Sequence, residues 1–90
     1  MITLHLPGDL ADKFRAPREL RLQAAAIGEV VPALDALYPG IDHWLTESNG
    51  AFRRHLSVFV ADYRLDGSEG PGYALPDGCE VWVMRAVSGG

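Results

Sequence analysis

One stretch of the chain carries the apolar spacing of a substantial helix, and the longer apolar segments around it alternate. Ile27, Val30, Val31, Leu34, Leu37 and Tyr38 fall at steps of 3, 1, 3, 3 and 1, which puts them on one helical face. Pro39-Gly40 ends that helix. Pro32 in a helix interior would delete a hydrogen bond at a cost of ~3 kcal/mol, so it is expected within the first turn or at a kink near the start. Ile2, Leu4 and Leu6 alternate with Thr3 and His5, and Leu20 and Leu22 flank Arg21. Within His55–Val60, Leu56, Val58 and Val60 oppose Ser57 and Phe59; within Glu80–Met84, Val81 and Val83 oppose Trp82 and Met84. A single amphipathic helix covers one face of one sheet. The order strand, strand, helix, strand, strand therefore predicts a two-layer α+β domain whose other sheet face looks at water or at another protein.

Smaller signals fill the gaps. Leu10 and Phe14 share one face of a helical turn ahead of Pro17, and Ile41, Trp44 and Leu45 suggest one further turn packing beneath the main helix. Pro7-Gly8-Asp9, Ser48-Asn49-Gly50, residues 66–72 and Pro76-Asp77-Gly78 read as breaks, loops or turns. Residues 1–84 are expected to form the domain and residues 85–90, which have no packing pattern, a flexible C-terminal tail ending in Gly-Gly.

Size and charge narrow the function. A domain of 90 residues buries only about 60–65% of the surface its unfolded chain exposes, leaving little room for an enclosed catalytic cavity, so an enzyme is not expected. Eight Lys and Arg against twelve Asp and Glu give a net charge of −4 with no concentrated basic face, which argues against nucleic acid as a partner. No apolar run approaches the ~20 residues that span a bilayer, and the start lacks the features of a secretory leader. The single cysteine, Cys79, fits a reducing compartment, and the cytoplasm is expected.

Conventional catalytic signals are weak. His5, expected on the open sheet face, His43, expected in a loop, and His55 have no metal-ligand spacing, so no metal site is expected. Asp62, Asp66, Glu69, Asp77 and Glu80 fit the solvated acidity of loops and strand ends better than an acid–base pair. Gly70-Pro71-Gly72 lacks the third glycine and the following helix of a dinucleotide fingerprint. Cys79 lies beside Asp77 and Glu80, which oppose thiolate formation, and reads as a small packing residue.

Gly89-Gly90 stands apart, because it directly follows a core strand with no tag or spacer between. With Pro76-Asp77-Gly78 leading into Glu80–Met84, then Val87-Ser88-Gly89-Gly90, the chain resembles the ubiquitin-like sulfur carriers of the MoaD and ThiS type. Weaker likeness runs through Ile27-Gly28-Glu29-Val30-Val31, Tyr38-Pro39-Gly40 and His55–Val60. The resemblance implies a β-grasp fold: a mixed sheet of four to five strands with one main helix on one face, the first and last strands adjacent at the centre. It also implies a carrier rather than an enzyme. No cofactor is bound; an adenylating enzyme uses ATP to activate the Gly90 carboxylate, which becomes a thiocarboxylate for a sulfur-accepting synthase subunit.

The glycines suit that task physically. Lacking Cβ, Gly89 and Gly90 are thin enough for a narrow active-site passage, with Val87 and Ser88 making the preceding extended contacts. The β-grasp order would gather His5, Phe59, Trp82 and Met84 on the uncovered sheet face as a partner-binding surface, unless the 66–75 loop or Trp44 folds over them. The chain departs from the common family pattern at Ala61 (often Asn), Cys79 (often Asp) and Arg85 (often Pro), which leaves molybdenum-cofactor and cysteine-type pathways both open. A ubiquitin-like modifier conjugated through Gly90, or a plain interaction module, are the alternatives.

Overall fold

In a computed structural model of the chain, residues 1–86 are described. The elements run β1 (Ile2–His5), α1 (Gly8–Phe14), β2 (Glu19–Leu22), a 3-10 turn (Ile27–Glu29), α2 (Val30–Leu37), α3 (Asp42–Leu45), β3 (Leu56–Val60), β4 (Tyr63–Arg64) and β5 (Glu80–Arg85). The sheet has five strands in the order β2-β1-β5-β3-β4. β1 and β5 pair in parallel at its centre, and the other neighbours are antiparallel. This is the mixed sheet that the family resemblance implies.

Alternation along the strands does what period-2 side chains must. Ile2, Leu4, Val58, Val60, Val81 and Val83 point to the helical layer and are buried, where they meet Val30, Val31 and Leu34 of α2 in one apolar core. Burying side chains of this size is worth about 1.5–3 kcal/mol each, so this layer carries the fold. Pro32 is the third residue of α2, within its first turn as expected, where its missing N–H is an orphan in any case.

Several local expectations are corrected. Leu37, the last residue of the eight-residue α2, is 57% exposed; the buried face of that helix is Val30, Val31 and Leu34. Ile41 and Leu45 pack beneath α2 as expected, but Trp44 is 45% exposed, with the Lys13 ammonium 4.5 Å from its ring centroid. His43 belongs to α3 rather than to a loop, and β3 begins at Leu56, one residue after His55. β5 continues one residue past Met84, so Arg85 belongs to the sheet, and the Ala86 N–H donates to the His55 carbonyl at 2.8 Å. β4, for which the sequence has no alternating signal, is a two-residue edge strand joined to β3 by a turn in which Ala61 adopts φ 54°.

Candidate functional site

Strand register assembles the open face. His5 pairs with Glu19 on one side and with Trp82 on the other; Trp82 pairs with Phe59, and Phe59 with Arg64. Glu19, His5, Trp82, Phe59 and Arg64 thus form one row across all five strands. Met84, two residues from Trp82, pairs with Ser57 and extends the apolar part along β5. The sheet brings His5, Phe59, Trp82 and Met84 together, as the β-grasp resemblance implies.

They are not equivalent. Trp82 is 40% and Met84 46% exposed, while Phe59 is half-buried. The His5 side chain is only 11% accessible. Its ring stacks on the Trp82 indole with centroids 3.6 Å apart and planes 5° from parallel. Its Nε2 lies 2.6 Å from Glu80 Oε1, and its Nδ1 lies 3.5 Å from Glu19 Oε1. His5 therefore braces Trp82 from one side and offers little surface of its own. Glu80, which the sequence offers as a solvated strand-end carboxylate, is thus a partner of His5, and Glu19 was not singled out from the sequence.

Nothing folds over this face among the described residues. The 66–75 segment packs on the helical side instead: Ile27 N–H donates to the Tyr73 carbonyl at 2.9 Å and Gly28 N–H to the Pro71 carbonyl at 2.8 Å. A Cβ on Gly28 would lie 2.7 Å from Pro71 Cβ, so this approach requires glycine. The segment is organised by Glu69, whose carboxylate accepts from the Tyr63 hydroxyl at 2.7 Å and from the Asp66 and Gly67 N–H groups at 3.1 Å each. Those bonds hold the Glu69 carboxyl below its ordinary range, and the hydrogen bond that Tyr63 donates to Glu69, with the negative charge beside it, pushes the phenol up to about 12.

The remaining candidates fall elsewhere. Cys79 is half-buried beside β1 and burial pushes its thiol up, consistent with a packing role. Asp77, at the turn before β5, accepts from the N-terminal ammonium at 2.6 Å, and Asp62 is exposed at the β3–β4 turn. Among the described residues, no group of three or more His, Cys, Asp or Glu is placed to hold a metal ion, and no helix is long and apolar enough to cross a membrane. Val87, Ser88, Gly89 and Gly90 lie outside the described residues.

The sulfur carrier protein CysO of Mycobacterium tuberculosis is 29% identical over 91 residues, spanning 99% of this chain and 98% of that protein. Its crystal structure superposes with a TM-score of 0.86 at 27% identity over 97% of this chain and all of that one. The chain is a homologue of the CysO sulfur carriers. It shares the ubiquitin-like β-grasp fold of the MoaD and ThiS type, as its residues suggested. CysO of Amycolatopsis orientalis, crystallised in complex with BexX, gives a TM-score of 0.85 at 22% identity, with full coverage of both chains. The small archaeal modifier protein SAMP1 of Haloferax volcanii gives 0.75 at 24% identity, over 99% of this chain and 98% of that one. No family model matches the chain.

Proposed function

We propose that the chain is a sulfur carrier of the CysO kind, with the carboxylate of Gly90 as the carrying group and the Trp82–Met84–Phe59 face as the surface by which partners hold it. The homology with CysO along nearly its whole length carries this assignment. A carboxylate is a poor electrophile at neutral pH because it is ionised. An adenylating enzyme overcomes this by letting the carboxylate oxygen attack the α-phosphorus of ATP; pyrophosphate leaves and an acyl-adenylate forms. A donor at the sulfide level then attacks the carbonyl carbon, AMP leaves, and one oxygen has been replaced by sulfur. The thiocarboxylate gives up that sulfur to an acceptor in a cysteine-type pathway.

The chain itself does no bond chemistry in this scheme. It is a protein cosubstrate in the cytoplasm, without a cofactor of its own. Gly89 and Gly90, with Ser88 and Val87 before them, enter the active sites of others. The two exposed apolar residues Trp82 and Met84 supply the kind of contact that dominates binding at interfaces, and tryptophan is enriched among hot spots.

Incubation with a sulfur-carrier adenylating enzyme, ATP and sulfide should raise the intact mass by one oxygen-to-sulfur exchange. Gly90→Ala should abolish that product while the protein stays folded. Absence of any mass change with an enzyme that thiolates its own CysO would refute the assignment. A ladder of covalent conjugates to other proteins, lost when Gly89 and Gly90 are deleted, would mark a modifier instead.

A further inference from the structure

Arg85 is the last residue of β5 and shares the parity of Val81 and Val83, so its side chain leaves the sheet toward the helical layer. There its Nε donates to Asp9 Oδ2 at 2.9 Å, and its Nη2 donates to the same oxygen. Asp9 sits in the first turn of α1, which is anchored by buried Leu10 and Ala11. One residue further on, the Ala86 N–H is tied to the His55 carbonyl ahead of β3. The end of β5 is thus gripped from two sides, by a helix 76 residues away in sequence and by the neighbouring strand's entry. The guanidinium holds the Asp9 carboxyl below its ordinary range, so the pair is ionised at neutral pH.

We propose that Asp9 and Arg85 form a positioning clamp that fixes the point from which residues 87–90 depart toward a partner's active site. This rests on the assignment of Gly90 as the carrying group. Four residues remain beyond Ala86, and at ~3.3–3.6 Å each they reach at most ~14 Å. An arm so short cannot compensate for a displaced root, and apparent affinity falls with the fraction of carrier whose root is correctly placed. Releasing Arg85 and Ala86 would leave that point of departure unfixed, so that less of the carrier is presented correctly at any moment.

The test compares Asp9→Asn, Arg85→Gln and the charge swap Asp9→Arg/Arg85→Asp. In the carrier alone, amide hydrogen exchange at Ala86 should quicken about 10-fold in each single variant and slow again in the swap. Melting temperature should move by no more than about 2–3 °C, as for an exposed pair. With an adenylating enzyme of the sulfur-carrier class, ATP and sulfide, the KM for carrier should rise about 5- to 10-fold in the single variants with little change in kcat, and the swap should recover most of it. Unchanged exchange at Ala86 in Asp9→Asn overturns the clamp, as does altered exchange with an unchanged KM. Impairment by Arg85→Gln and by the swap, with Asp9→Asn behaving as wild type, would instead show Arg85 touching the partner directly. If the wild-type carrier is never thiolated, the functional assignment fails, while exchange at Ala86 still decides whether the clamp exists.

Discussion

The two faces of the sheet are made by the same strands and have opposite chemistry. Toward the helices, β1, β3 and β5 direct Ile2, Leu4, Val58, Val60, Val81 and Val83, all buried. Away from them, the same strands direct Thr3, His5, Ser57, Phe59, Trp82 and Met84, which are larger or polar and, at Trp82 and Met84, exposed. A face that merely needed to be soluble would have no use for an indole and a thioether at its centre. The helical face specifies the fold, and the open face is available for recognition because the fold does not depend on it.

The contrast breaks first at the core. Leu34→Ala empties a fully buried site and should cost ~2–5 kcal/mol of stability in chemical denaturation. Trp82→Ala should cost clearly less stability than that, yet weaken binding to the adenylating enzyme by about 2 kcal/mol or more in calorimetry. If the two substitutions destabilise equally, the faces do not divide the labour. Gly28→Ala asks whether the 66–75 segment is truly held to the helical side. The new methyl must push Pro71 away, and a loss of ~1–3 kcal/mol is expected on thermal melting.

A smaller effect of opposite sign should appear at the β3–β4 turn. Ala61 holds a left-handed conformation that asparagine tolerates better, so Ala61→Asn should stabilise by about 0.5–1 kcal/mol without altering partner binding. The subtlest test is electrostatic. Tyr63 titrates near 12 in the folded chain against an ordinary 10.0, so its contribution to stability is complete below pH 10 and disappears as pH climbs toward 12. Glu69→Gln should return the tyrosinate absorbance transition toward 10 and erase that alkaline loss.

What the sequence disclosed follows from which interactions are periodic. The α2 face and the strands around Leu4, Val58 and Val81 were legible because burial imposes a repeat on every second or third residue. The gathering of Phe59, Trp82 and Met84 was legible once a strand order was supplied by family resemblance. Leu37 and Trp44 were misplaced because helical spacing gives direction but not where along a helix burial ends. β4 escaped notice because two edge residues, Tyr63 and Arg64, have no room for alternation. The His5–Glu80 and Asp9–Arg85 contacts join positions 75 and 76 residues apart, and no local pattern announces a meeting at that separation.

The parallel pairing of β1 with β5 has a consequence for synthesis. The strand in the middle of the sheet is the last one translated, so β1 and β2 must wait beside β3 and β4 without the element that joins them. Such distant pairing folds slowly. It also means that a product cut short before β5 lacks the centre of its sheet and cannot close it.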